Sequence, residues 1–164
     1  VWGIVRGVLD EALASFLSMR ETEGARLKED VLRRAETILS IVSKIEERSP
    51  QTVEEYRAKL QARLNEMLAD VKLDEQRILT EAAIFADKVA VAEETVRLRS
   101  HFTQFSNMLE SGEAVGRKLD FIVQEMNREA NTIGSKASDS AIAYMVVDIK
   151  AEIEKIREQI QNIE

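Results

Sequence analysis

From Trp2 to about Glu47 the apolar positions Val5, Leu9, Leu13, Phe16, Leu17, Leu27, Val31, Ala35, Ile38, Val42 and Ile45 recur at steps of mostly three and four. That is the period of one helical face, and it predicts a single long helix over 2–47. Gly24 sits inside it as a weak point, costing about 1 kcal/mol relative to Ala. Ser49-Pro50-Gln51-Thr52 breaks the pattern, and Thr52 with Glu55 forms a capping box that predicts a second helix over 52–69. Asp70 to Leu73 reads as a turn, Asp74 as the cap of a third helix over 74–110, and Ser111-Gly112-Glu113-Ala114-Val115-Gly116 as the clearest loop. In the last segment Met126, Ala130, Ile133, Ala137, Ala141, Met145, Ile149, Ile153, Ile156, Ile160 and Ile163 step at a mean of about 3.7, which predicts a nearly straight helix over 116–163. Gly134 and the run Ser138-Asp139-Ser140 could interrupt that helix, with Ser138 as a new cap. The expected fold is all-α, an extended antiparallel bundle of long, unequal helices with little or no sheet, forming one helical domain over 1–164.

The third helix carries two apolar stripes. Ile78, Ala82, Phe85, Val89, Ala92 and Val96 form one; Ile84, Val91, Leu98, Phe102, Phe105 and Leu109 form another on roughly the opposite side. Two stripes on one rod predict two partners, inside the domain or in a second chain, because an exposed stripe would be an unusually large apolar patch.

Composition fits this picture and narrows the function classes. With one Pro, six Gly and 32% charged residues, the chain is rich in residues that lose least on entering a helix. No cysteine is present, so thiolate metal sites, disulfides and a cysteine nucleophile are excluded. No apolar run approaches the roughly 20 residues of a membrane span, and no signal peptide is recognisable, so a soluble, cytoplasmic protein without a membrane partner is expected. The first residue is Val1, already in helical pattern, which suggests a fragment of a longer protein. A net charge of -7 argues against nucleic-acid binding by bulk attraction. Any RNA contact has to be local.

Candidate chemistry gathers on the last two predicted helices. Asp87, Glu94 and His101 are spaced by seven, so a continuous third helix aligns them along one edge beside the second stripe. Carboxylate and imidazole ligands suit Mg, Mn or Zn, and His101 is the sole histidine. Successive members lie about 10 Å apart along the axis, so one ion would need ligands from other helices. Solvated residues on a charged surface explain the same spacing. Glu-x-x-His pairs of the di-iron kind are missing, since Leu98 stands three residues before His101. There is also no HExxH, phosphate-cradling loop or nucleophile elbow. On the fourth helix Arg117, Asp120, Gln124, Asn127, Arg128, Asn131 and Ser135 follow steps of mostly three and four, with Lys118 and Lys136 at either end. Such a row suits phosphate, sugar or base contacts, and equally suits an interhelical network that fixes register.

These residues lie in segments that resemble the C-terminal portion of the YicC/YloC family of bacterial endoribonucleases, also described as stress-related proteins. The segments are RETEG at Arg20 to Gly24, DEQRILTEAAIFADKVAVAEETVRLRSHFTQF at Asp74 to Phe105, GRKLDFIVQEMNREANTIGSK at Gly116 to Lys136 and KAEIEKIREQIQNIE at Lys150 to Glu164. The resemblance implies a metal-dependent, RNA-cleaving homo-oligomer, a ring of six, whose N-terminal domain lies outside this chain. It implies metal ligands among Glu81, Asp87, Glu94 and His101, with Mg or Mn as cofactor and no organic cofactor. Asp87, Glu94 and His101 would carry catalysis, and Arg97, Arg117, Lys118, Gln124, Asn127, Arg128, Asn131 and Lys136 would hold RNA. One departure falls at Val89-Ala90-Val91-Ala92, where the family pattern places an acidic residue; Ala90 leaves one fewer carboxylate. The competing expectation is a non-catalytic helical scaffold for oligomerisation or RNA binding. A lipid-surface helix bundle is disfavoured because the polar faces are mixed or acidic.

Overall fold

A computed structural model describes residues 1–69, 72, 74–111 and 116–162, so most of the expected 70–73 turn and the centre of the 111–116 loop lie outside the described residues. Five helices follow one another: α1 Trp2–Met67, α2 Glu75–Val89, α3 Ala92–Glu110, α4 Gly116–Lys136 and α5 Ser140–Gln161. No strand occurs among the described residues.

The middle of α1 packs with α3, α4 and α5 as an up-down-up-down bundle. Ion pairs fix the antiparallel registers: Arg34 and Arg48 of α1 reach Glu152 and Asp139 beside α5, at 2.8 and 2.9 Å, and Arg99 of α3 donates to Glu46 of α1 at 2.8 Å. Inside, Val31, Ile38, Val42 and Ile45 meet Leu98, Phe102, Phe105, Met126, Ile133, Ile149, Ile153 and Ile156 in one continuous core. Each such aliphatic or aromatic side chain contributes about 1.5–3 kcal/mol on burial. Beyond one end of the bundle residues 2–26 of α1 project as an exposed arm. At the other end the last turns of α1 pair with α2 as a helical hairpin, sealed by a Tyr56–Phe85 stack with ring centroids 3.9 Å apart.

Several expected boundaries are corrected. The helices expected over 2–47 and 52–69 are one, with Pro50 inside α1. The capping box does not form: Thr52 Oγ1 donates back to the Ser49 carbonyl at 2.7 Å, and Glu55 is held by Arg48. A proline removes one internal bond, but the seam on both sides of it stays in phase and tertiary contact carries the helix through. The helix expected over 74–110 is divided at Ala90 and Val91, and that over 116–163 at Ala137–Asp139. There Asp139, not Ser138, is the cap, accepting from the Ile142 N–H at 3.2 Å. The second break shifts the phase by one residue, so Ile142 and Val146 are buried where Ala141 and Met145 were expected to lead. Asp74 caps α2 as anticipated, accepting from Gln76 and Arg77.

Division of the third helix also resolves its two stripes. Ile78, Ala82 and Val89 of α2 face α1, with Phe85 on Tyr56, while Val91, Leu98, Phe102 and Phe105 enter the bundle core. Val96 and Ile84, the residues that would have carried each stripe across the break, are exposed. Two partners exist, but they belong to two helices.

Candidate functional site

Polar chemistry converges where α3 lies against α4. Packing of Leu98, Phe102 and Phe105 on Ile122, Met126 and Ile133 leaves one edge of α3, carrying Glu94, Arg97 and His101, turned to α4. Glu94 is 4% exposed, and its Oε1 accepts from Lys136 Nζ at 2.5 Å. The same ammonium donates to the Ala90 carbonyl at 3.1 Å. Arg97 pairs with Glu93 on its own helix and lies 3.9 Å from Glu129 of α4, itself 6% exposed. His101 stands two turns beyond Glu94 on this edge, half-buried. Burial pushes the Glu94 carboxyl up, but the Lys136 hydrogen bond, a backbone hydrogen bond and the charges of Lys136 and Arg97 pull it further down, so it stays ionised. Its second oxygen, Oε2, is buried without a hydrogen-bond partner.

The structure therefore joins Glu94 to Lys136 with Arg97 nearby, leaves His101 two turns along the same edge, and separates the others. Asp87 belongs to α2, on the far side of the Ala90–Val91 joint, and is exposed, so the edge expected to hold Asp87, Glu94 and His101 together is broken. Glu81 also lies on α2, lining a cleft of about 370 Å³ with Leu60, Leu64, Arg77 and Ile78. Among the described residues no three acidic, histidine or cysteine side chains are placed to hold a metal ion. The donors near the seam are committed to cations, with Glu94 on Lys136 and Glu129 beside Arg97. A divalent ion does not fit the described residues of a single chain.

The polar row of α4 points elsewhere. Arg117, Gln124, Arg128 and Asn131 are exposed and Asn127 is half-buried. Gln124 donates to Asp120, which Arg157 of α5 approaches at 3.7 Å, and Arg128 reaches back to Glu125. A cleft of about 330 Å³ beside this row is lined by Arg117, Asp120 and Arg157. Lys118 is exposed at the start of the same helix. The row is thus an outer surface of amides and guanidiniums tied mostly within α4, rather than a register-fixing network among buried helices. Glu129 is among the positions of the GRKLDFIVQEMNREANTIGSK segment that carry the family resemblance, and packing of α3 on α4 buries it beside Arg97.

A helical bundle with a charged α3–α4 edge and a solvent-facing amide and guanidinium row makes the described residues an all-α unit with its polar groups on helix surfaces. Residues 45–164 match the family described as "Endoribonuclease YicC-like, C-terminal", and the chain belongs to that family. It is 46% identical over its whole length to a protein of Clostridioides difficile named "Probable endoribonuclease YicC", of which it covers 56%. A Haemophilus influenzae protein of the same name is 39% identical over 94% of the chain, which covers 53% of that relative. The chain spans about half the length of these curated relatives. No helix among the described residues is long and apolar enough to cross a membrane.

Proposed function

We propose that this chain is the helical part of an RNA-cleaving enzyme, supplying the RNA-holding surface, a proton-transfer group and the contacts of a homo-oligomer. Family membership over residues 45–164 carries the reading. Arg117, Lys118 and Arg128 hold the phosphate backbone, Gln124, Asn127 and Asn131 make hydrogen bonds to sugars or base edges, and Arg97 approaches a phosphate from the α3 edge. His101 moves the proton at the reacting oxygen, being the single imidazole of the chain and half-open to solvent. Lys136 holds Glu94 and reaches RNA only if that pair opens, so these two residues position the edge rather than touch substrate. A required Mg or Mn would supply charge neutralisation at the scissile phosphate, and Glu81, Asp87 or Glu94 would serve it only together with ligands from outside this chain. The exposed apolar face of the α1 arm supports self-association, with a ring of six as the assembly.

The test uses the full-length protein and a labelled RNA. His101→Ala is expected to lower the cleavage rate by about 100-fold or more with the assembly intact, and Arg117→Ala with Arg128→Ala to weaken RNA binding and flatten its salt dependence. Unchanged cleavage in His101→Ala would abandon the catalytic assignment. The scaffold reading is favoured by one observation, the burial and pairing of Glu94. It wins if cleavage by the full-length protein survives every substitution on α3 and α4.

A further inference from the structure

Both connections between the α1–α2 hairpin and the bundle are interrupted at the same level. In α1 the interruption is Pro50, which cannot donate to the Glu46 carbonyl one turn back. On the return path it is Ala90, extended at φ -62 and ψ 121, followed by Val91 at φ -119 and ψ 6. Between the two lies a cleft of about 440 Å³, with Glu46, Pro50 and Val53 on one wall and Val89, Val91 and Val96 on the other. The hairpin has its own seam, the Tyr56–Phe85 stack and the buried Ile78 and Ala82, and α2 packs extensively on α1 alone. Beyond Thr52 no residue of α1 is buried. A unit with internal contacts, two thin connections and a void between them meets the mechanical conditions for a rigid body turning on a hinge.

Two polar straps cross that level. Arg48, on the bundle side of Pro50, donates to Glu55 on the hairpin side at 2.6 and 2.9 Å and to Asp139 at the head of α5 at 2.9 Å. Lys136, from the last turn of α4, ties the Ala90 carbonyl and Glu94 together across the other joint. Neither strap is needed to form the helices it joins, since each links elements that are already complete.

We propose that α1 from Gln51 onward, together with α2, is a hinged lobe turning on Pro50 and on the Ala90–Val91 joint, held in its present orientation by the Arg48 and Lys136 straps. The lobe carries Glu81 and Asp87, and the bundle carries Glu94 and His101. Turning it changes the distance between those two sets whatever reaction the whole protein performs.

This chain has no cysteine of its own, so nitroxide labels sit on cysteines introduced into it, with any cysteine elsewhere in the full-length protein first replaced by serine. Labels at Arg63→Cys and Asp148→Cys report lobe against bundle, and labels at Glu36→Cys and Asp148→Cys report the bundle alone; all three positions are exposed. Pulsed electron-electron distances are read on full-length protein diluted into unlabelled copies. Arg48→Met combined with Lys136→Met is expected to broaden or move the lobe distance by about 5 Å or more, on the order of one helical turn, with the bundle distance unchanged. Adding Pro50→Ala, which restores the missing helical bond, is expected to narrow it again. An unchanged lobe distance in the double variant overturns the hinge, as does simultaneous broadening of both pairs, which would mean general loosening. Persistence of the broadened distribution after Pro50→Ala removes Pro50 as a pivot.

Discussion

Glu94 shows how one buried side chain sets the terms for its neighbourhood. A carboxylate this deep is costly unless paired, and Lys136 pairs it while leaving Oε2 without a protein donor. Glu94→Gln removes the charge and keeps the shape, stranding a half-buried ammonium; a loss of about 1–3 kcal/mol is expected from urea unfolding. The pH dependence has a definite sign. The folded carboxyl titrates below its ordinary value, so its contribution is complete above the unfolded value of about 4.3 and disappears as pH falls through the lower folded value. The stability gap between wild type and Glu94→Gln should therefore stay flat from about pH 5.5 to 8 and shrink below about pH 4. A gap that grows on acidification would show that burial, not Lys136, controls this group.

Helix continuity is decided by whether the apolar seam keeps phase, and local breakers only modulate it. Gly24 has open space around it, so Gly24→Ala should collect the whole helix-propensity gain of about 1 kcal/mol, seen as reduced fraying of α1 by circular dichroism. At Gly134 an added Cβ would lie 3.1 Å from Val146 Cγ1, so Gly134→Ala should gain less or lose stability. Pro50→Ala should stabilise by about 2 kcal/mol, the helix-interior penalty of about 3 kcal/mol less about 1 kcal/mol of lost restraint on the unfolded chain. The same logic explains what was legible beforehand. Val31, Ile38, Val42 and Ile45 were readable as one core face, and Asp74 as a cap, because period and cap chemistry are local. The Ala90–Val91 joint carries no Gly, Pro or Asn, and only the packing of its two flanks on different partners creates it. The α3 edge was therefore half-legible: Glu94 and His101 share it as expected, while Asp87 left it with the joint, and Lys136 could be placed opposite Glu94 only once the α3–α4 register was known.

At the scale of the molecule the unbalanced feature is the arm. Over its roughly 38 Å length, Trp2, Val5, Leu9, Leu13 and Phe16 continue the face that α1 buries at Val31, Ile38 and Ile45, yet each is at least 50% exposed. Buried against another apolar surface, each Leu or Phe would contribute about 1.5–3 kcal/mol, so a handful suffices to hold an assembly together. Membrane-surface binding is a poor alternative, because the polar positions of the arm are acidic or mixed rather than basic, with Asp10, Glu11 and Glu21 beside and behind the apolar face and Glu23 within it. Leu9→Glu with Leu13→Glu separates folding from assembly. Neither residue is buried in the single chain, so bundle unfolding at high dilution should shift by no more than about 0.5 kcal/mol per site, while the sedimenting mass falls toward that of one chain. A mass that stays high with both charges in place would assign association to another surface, and the arm would then need a different occupant to explain its oil.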